Sequence, residues 1–367
     1  MKRILFFINT LNTGGAERVL IDLVRKLPKD RFRITVQCLA GGRFESELPE
    51  DIELRQILRS KNPFLMKVFS KLPWLTGRLF VKNNYDIEVA YLEGFPTKVI
   101  ASRTKSRAKK IAVIHTNTAQ TDMIRILYPN EAACLQQYGL FDRTVFVSGD
   151  AMEGFFRMFG ALDRAQVVHN VIDFTRVRKQ AQLPCPEHYT TKGLRLVAVG
   201  RLIKLKGFDR LIRICAELEK EFDFELLLLG GGEEQSALEA VIAETGARSV
   251  RLMGMQSNPY TYMQKADLLV CSSFAEGYST TMMEALALGL PVLTAACAGM
   301  DEILEGGKWG KIVGLSDDEL REGLRQVLSD RTLYDDLKQR AMARKEQLTD
   351  KTSVTEYLQL FDEVMKE

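Results

Sequence analysis

Short apolar runs alternate with amphipathic stretches twice along this chain, and that alternation limits its fold more than any other feature. In the first half the runs are RILFFI, RITVQCL, IEVAYL, KIAVIH, TVFVS and QVVHN, with a helix predicted over Ala16–Leu27. The pattern restarts near residue 194 with LRLVAVG, FELLLLG, VRLMG, DLLVCSS and PVLTA, separated by helical patterns over Phe208–Glu221 and Glu233–Thr245. Runs of Val, Ile and Leu with helices between them are the signature of parallel strands covered on both faces. The expectation is an α/β protein of two doubly wound domains in series. The join is expected in QLPCPEHYTTKG, Gln182–Gly193, where prolines and polar residues interrupt the periodicity. That gives an N-terminal domain over 1–181 and a C-terminal domain over 182–352. Beyond Asp317 only helical patterns remain, and the last of them, 353–367, is expected to pack back on the first domain.

A length of 367 residues with 46% hydrophobic content suits two cores rather than one. The longest apolar stretches, ILFFI and ELLLL, fall far short of the roughly 20 residues needed to cross a bilayer. Lys2 and Arg3 precede ILFFI, but that run is too short for a signal-peptide core and leads into a glycine loop. The six cysteines are scattered singly and there are three histidines, which suits a reducing cytoplasm and points to neither a disulfide framework nor a zinc site. The net charge of +3 conceals an asymmetry. Residues 1–180 carry 29 Lys and Arg against 18 Asp and Glu, or +11, and the remainder 22 against 30, or −8. The basic half suggests an anionic partner, either a membrane surface or a phosphorylated substrate; ordinary solvated surface is the competing reading.

Three loops carry chemistry. In NTLNTGGAERVL, Gly14 and Gly15 meet the start of a helix, where backbone N–H groups can receive a phosphate or diphosphate. The spacing matches neither GxGxxG nor the P-loop, and a turn needing glycine for geometry alone remains open. In AVGRLIKLKGFDRLI, Arg201, Lys204 and Lys206 follow a strand end, where Arg and Lys neutralise diphosphates. Lys204 reads as a solvated lysine and Arg201 as the sharper candidate. The third loop, SSFAEGYSTTMMEALALGLPV, holds Glu276 and Glu284 in otherwise small or apolar company. Its helix is predicted to start at a Ser279 cap and stop at Gly289 and Pro291. Glu284 then lies between Thr280 and Thr281 on one face and leans toward the N-terminus, and Glu276 stands three residues before the cap. A carboxylate there would repel a phosphate unless neighbouring hydroxyls donated to it, and the hydroxyls of a sugar nucleotide supply such donors. A capped backbone, an arginine pair or a solvated loop are the bland alternatives.

These segments resemble the retaining glycosyltransferases of family 4, whose GT-B fold has two Rossmann-like domains facing a central cleft. VVHNVID (Val167–Asp173) resembles that family's approach to the hinge and VGRLIKLKGFDRLI its phosphate-binding loop. ADLLVCSSFAEGYSTTMMEALALGLPV resembles its E-x7-E motif, and the three occur in the expected order along nearly the whole chain. The resemblance implies that Arg201 and Lys206 bind the donor diphosphate, Glu284 the ribose and Glu276 the transferred sugar. It also implies that the backbone amides of Gly277, Tyr278, Ser279, Thr280 and Thr281 complete the contacts, that Gly14 and Gly15 close over the donor, and that His115 lies near the reacting sugar. Tyr278 and Ser279 stand where the family often has Phe and Gly, and Val171 where Gly is usual.

The activity implied is retaining transfer of a hexose or N-acetylhexosamine from a nucleotide-diphosphate sugar, with UDP favoured, to a glycan or lipid-linked acceptor in cell-surface polysaccharide synthesis. The chain contains no DxD sequence, and cationic side chains are expected to replace a metal, so neither metal nor cofactor is expected. The stretch GMQSNPYTYMQKAD is expected to meet the base. The acceptor is expected on the first domain, where 55–82 carries Arg59, Lys61, Lys67, Lys71, Arg78 and Lys82 among Phe64, Leu65, Phe69, Trp74 and Phe80. That pattern suits an anionic membrane, with a peripheral place on the inner face of the cell membrane; a helical pair burying its apolar face is the alternative. Nucleic acid is not expected, because no recognition motif accompanies the charge. Two rival activities stay open: a sugar-nucleotide epimerase of the same fold, and a silent sugar-nucleotide-binding protein.

Overall fold

Strands apolar on successive residues must be covered on both faces, and Ile4 to Ile8 are indeed wholly buried. The computed structural model describes every residue except 13, 59–64, 66, 67, 70, 83, 121–123, 187, 188 and 367, together with all side chains apart from those and 352 and 353. It divides into two units, Met1–Asp173 with Asp350–Glu367, and Phe174–Thr349. Each is a Rossmann-like parallel sheet wrapped by helices.

The first sheet joins β1 (Lys2–Thr10), β2 (Phe32–Ala40), β3 (Glu53–Leu58), β4 (Ile87–Ala90), β5 (Lys109–Ile114), β6 (Arg143–Phe146) and β7 (Ala165–Val167). Their order is β3-β2-β1-β4-β5-β6-β7, and each neighbouring pair is parallel. The second joins β8 (Leu194–Val199), β9 (Phe224–Leu229), β10 (Val250–Leu252), β11 (Leu268–Cys271), β12 (Val292–Ala295) and β13 (Lys311–Val313) in the order β10-β9-β8-β11-β12-β13. The connection order reverses between β1 and β4 in one sheet and between β8 and β11 in the other. At such switch points the loops leaving adjacent strands diverge and open a crevice at the carboxyl edge.

Two strands escaped sequence reasoning. β3 is a half-polar edge strand, ELRQIL, and β13 is only three residues long. The domain boundary also differs from 181. Helix Phe174–Ala181 buries Phe174, Val177 and Ala181, and Arg178 donates from Nε to Ala287 O and from Nη2 to Lys345 O and Leu348 O. These contacts assign it to the second unit, so the crossing falls after Asp173; of the expected linker, residues 187 and 188 lie outside the described set. The chain returns at Asp350, earlier than 353. Helix Asp350–Lys366 sets the Phe361 ring 6.3 Å from that of Phe6 and 5.8 Å from that of Phe32, within the first core.

Candidate active site

Leaving β8, the chain passes Gly200 and Arg201, makes a single 3-10 turn over Lys204–Lys206 and starts helix Phe208–Leu218 at Gly207. Gly207 is left-handed (φ +59°), and a Cβ there would lie 2.4 Å from Ser272 O, so only glycine fits. That closeness ties the two strand exits together. Ser272 Oγ donates to Lys206 O at 2.9 Å. The buried Arg210 donates from Nε (2.9 Å) and Nη2 (2.5 Å) to Ser272 O and from Nη1 to Leu315 O, and its guanidinium lies 3.9 Å from the Phe274 ring centroid. A charged fork spent on backbone carbonyls fixes the loop after β11 and therefore fixes Glu276.

Lys206 and Glu276 meet. Lys206 Nζ donates to Glu276 Oε1 at 2.5 Å, and Ser273 Oγ donates to the same oxygen at 2.6 Å. The side chains are only 20% and 12% exposed, so the pair is poorly screened. Burial works to lower the Lys206 pKa, but the Glu276 carboxylate together with Cys271 and Cys297 outweighs it, and the net shift is upward, so the ammonium is held charged. Around the pair, Cys271, Ser273, Ser279 and Thr281 help to line a cavity of about 10 Å³, room for about one water. Cys271 is drawn down to about 6 by the Cys297 thiol, with burial opposing. Arg201 is exposed and pairs with no acidic side chain among the described residues; Lys204 is exposed as well.

The next helix runs Thr280–Leu288. Ser279 caps it, its hydroxyl accepting from Met282 N at 3.4 Å, and left-handed Gly289 closes it. Glu284 is 7% exposed, and its Oε1 accepts from Tyr260 Oη at 2.8 Å. Arg176 Nη1 donates to the same phenol at 3.2 Å and its guanidinium lies 5.4 Å from the Tyr260 ring centroid. Burial, then the Glu284 charge, pushes the Tyr260 pKa up, so the phenol stays protonated and donates. A tyrosine therefore satisfies part of what sequence reasoning left for a ribose.

In the first unit Gly14 is the cap of helix Gly15–Lys26 and supplies no side-chain bond. The Glu17 carboxylate folds onto it, with Oε2 placed 2.0 Å from where a Gly14 Cβ would stand. An acid already occupies this helix N-terminus, so an incoming phosphate must displace it. His115 follows β5. Its ring lies 5.0 Å from that of Tyr91, and Nε2 is buried without a partner among the described residues. Burial lowers its pKa to about 4, so the ring is neutral at physiological pH.

The site residues thus form two sets, Gly14, Gly15 and His115 at one sheet edge and the rest at the other. Residues 13–176 match the sequence profile of Glycosyltransferase Family 4, and residues 187–344 that of Glycosyl transferases group 1. The chain belongs to the GT-B glycosyltransferases. It is 27% identical to the N-acetylgalactosamine-N,N'-diacetylbacillosaminyl-diphospho-undecaprenol 4-alpha-N-acetylgalactosaminyltransferase of Campylobacter jejuni, covering 94% of this chain and 95% of that one. A second C. jejuni protein, the GalNAc-alpha-(1->4)-GalNAc-alpha-(1->3)-diNAcBac-PP-undecaprenol alpha-1,4-N-acetyl-D-galactosaminyltransferase, is 23% identical over 99% of both chains. Among solved structures the fold matches Anabaena HepE in complex with UDP and glucose, with a TM-score of 0.77 at 19% identity, over 99% of this chain and 100% of that one.

Sequence reasoning missed several residues of this glycosyltransferase. Arg210 stands on the apolar face of its helix between Phe208, Leu211 and Ile212, a charge on a buried stripe, which was a legible signal. Ser273, Tyr260 and Arg176 carried none, because they reach the glutamates only through the folding of distant segments.

Proposed function

We propose that this glycosyltransferase is retaining and metal-independent, and that it moves a hexose or N-acetylhexosamine from a UDP-sugar to a glycan or lipid-linked acceptor in cell-surface polysaccharide synthesis. The observation that carries the reading is the Lys206–Glu276–Ser273 cluster at the β8/β11 switch point, beside the Ser279 helix cap. Leaving-group charge develops on the diphosphate, and a preorganised ammonium together with helix N–H groups stabilises it where it forms. Lys206 and the exposed Arg201 supply the cations. Glu276, freed from Lys206 as the diphosphate arrives, accepts from the hydroxyls of the transferred sugar. Glu284, with one oxygen on Tyr260, accepts from the ribose. The backbone amides from Gly277 to Thr281 complete the donor contacts of the second unit, and Gly14, Gly15 and His115 are the first unit's candidates for substrate contact. With no nucleophile assigned, the leaving phosphate oxygen takes the proton of the incoming acceptor hydroxyl as the new bond forms on the same face.

The choice of UDP and of an undecaprenyl-linked or related glycan acceptor is supported by the names of the C. jejuni relatives and by the UDP complex of HepE. A membrane surface is the natural place to meet such an acceptor. Helix Pro73–Leu79 and its flanks expose Trp74 (55%), Leu79 (63%) and Phe80 beside Lys71, Arg78 and Lys82, the chemistry of an interfacial anchor on anionic lipid. Arg59, Lys61, Phe64 and Lys67 of the same basic stretch lie outside the described residues. No helix among the described residues is long and apolar enough to cross a membrane.

The deciding experiment is a thermal-shift panel of UDP, GDP and ADP with their sugar conjugates, followed by NMR of the product of any donor that is consumed, with and without EDTA. UDP stabilisation, an α-linked product from an α-linked donor and rates indifferent to EDTA are expected. An inverted anomer or a loss of rate in EDTA would overturn those parts of the reading, and an epimerised donor would overturn transfer.

A further inference from the structure

Glu93 was singled out by no motif, yet it is 8% exposed at the exit of β4, beside the β1/β4 switch point of the first sheet. Its Oε1 accepts from His115 N at 2.6 Å, from Thr116 N at 2.9 Å and from Thr116 Oγ1 at 3.0 Å. Three donors from one turn converge on one oxygen, and all three belong to the turn that presents His115. The Tyr91 ring, at the same β4 exit, packs against that histidine at 5.0 Å between ring centroids. Among the described residues the Nε2 of His115 is buried without a hydrogen-bond partner.

We propose that Glu93 is a positioning residue for transfer, holding the β5 exit turn so that the unpartnered Nε2 of His115 is fixed in place to meet a hydroxyl of the bound sugar. This rests on the reading that His115 faces the donor. Burial of a carboxylate is costly, and a well-packed apolar residue is often neutral or stabilising at such a position. Here burial pushes the Glu93 pKa up, against hydrogen bonds from its own backbone, His115 and Thr116 that work to lower it. The cost falls on the turn that presents the Nε2 of His115, which is buried without a partner among the described residues. Backbone N–H groups are normally satisfied by other backbone, and two of them assigned to one side chain make the orientation of the turn depend on Glu93.

The test compares Glu93→Ala, Glu93→Gln, His115→Ala and the double variant Glu93→Ala/His115→Ala, each checked for fold by circular dichroism and thermal melting. Two measurements are made: UDP release from whichever UDP-sugar turns over, and the 1H–15N correlations of the histidine rings in ligand-free protein, with His115 assigned by its disappearance in His115→Ala. Glu93→Ala is expected to lower kcat by about 10- to 100-fold with KM changed less than about threefold. Glu93→Gln, which keeps an acceptor oxygen, is expected to restore kcat to within about threefold. In the His115→Ala background Glu93→Ala is expected to add less than about twofold, because a residue acting through another has nothing left to position. The His115 ring signal is expected to move in Glu93→Ala and to stay in place in Glu93→Gln. An unmoved ring signal in Glu93→Ala, or kinetic losses that multiply in the double variant, overturns the proposal even if His115 matters. An unchanged kcat in His115→Ala instead overturns the reading of His115 and, with it, the catalytic consequence drawn for Glu93.

Discussion

The two switch points of this molecule solve the burial of polar groups in opposite ways. At the β8/β11 edge charge meets charge: Lys206 and Glu276 pair at 2.5 Å with a serine hydroxyl on the shared oxygen. At the β1/β4 edge and its β5 neighbour a carboxylate is held by backbone N–H groups, and the adjacent histidine stays neutral with one nitrogen unpartnered. The first arrangement is closed until an anion competes for the lysine. The second keeps a neutral imidazole nitrogen buried without a partner among the described residues.

Breaking the charged edge should have the largest effect. On the proposed donor site, Lys206→Ala removes the cation that meets the leaving diphosphate and leaves the partly buried Glu276 without its counter-ion, so kcat should fall by about 10²- to 10³-fold, as when a preorganised electrostatic group is lost. Glu276→Ala should also lower kcat while UDP affinity holds, measured by calorimetry. Equal losses of UDP affinity in both variants would show that the pair serves binding alone. Next is the backbone beneath the pair. Gly207→Ala forces an L side chain into the left-handed region and against Ser272 O, which should cost about 1–3 kcal/mol. For a unit of this size that is a fall in melting temperature of several degrees, read by calorimetry. A variant melting with wild type would show that the two exits are not tied as described. Smaller again is Glu284→Ala, expected to weaken UDP about tenfold and leave kcat nearly unchanged, since it removes one charged hydrogen bond made equally in ground and transition states.

What the residues disclosed in advance follows the same division. The strands of both switch points were legible because Val, Ile and Leu runs such as LRLVAVG admit few other folds. Ser279 and Gly289 were legible as helix ends because capping is local chemistry. The partners of the glutamates were not. Tyr260 reaches Glu284 from 24 residues away and Lys206 reaches Glu276 from 70, so each contact exists only after the sheet has set the separation of its strand exits. Glu93 was invisible for a related reason, since its partners are the backbone N–H groups of a turn that sequence periodicity does not describe. The boundary after Asp173 was misplaced at 181 because helix Phe174–Ala181 has the amphipathic pattern of either unit. Only the bonds of Arg178 to Ala287, Lys345 and Leu348 decide its side.

The smallest predicted effect tests the uncharged edge without any ligand. In the folded chain His115 resists protonation down to about pH 4, whereas the unfolded chain takes up that proton near 6.5. Below about 6.5 the unfolded state therefore binds more protons, and stability falls as the pH falls, levelling off once the folded-state pKa is passed near 4. Between pH 7 and pH 5.5 the contribution of this one group is about 1 kcal/mol. Other groups titrate in the same window, so the quantity that isolates His115 is the difference between wild type and His115→Phe, from urea unfolding at both pH values. The variant is expected to lose about 1 kcal/mol less than wild type over that interval. Parallel losses would mean that the ring is protonated in the folded chain as easily as in water, and an imidazolium has no lone pair with which to accept from a sugar.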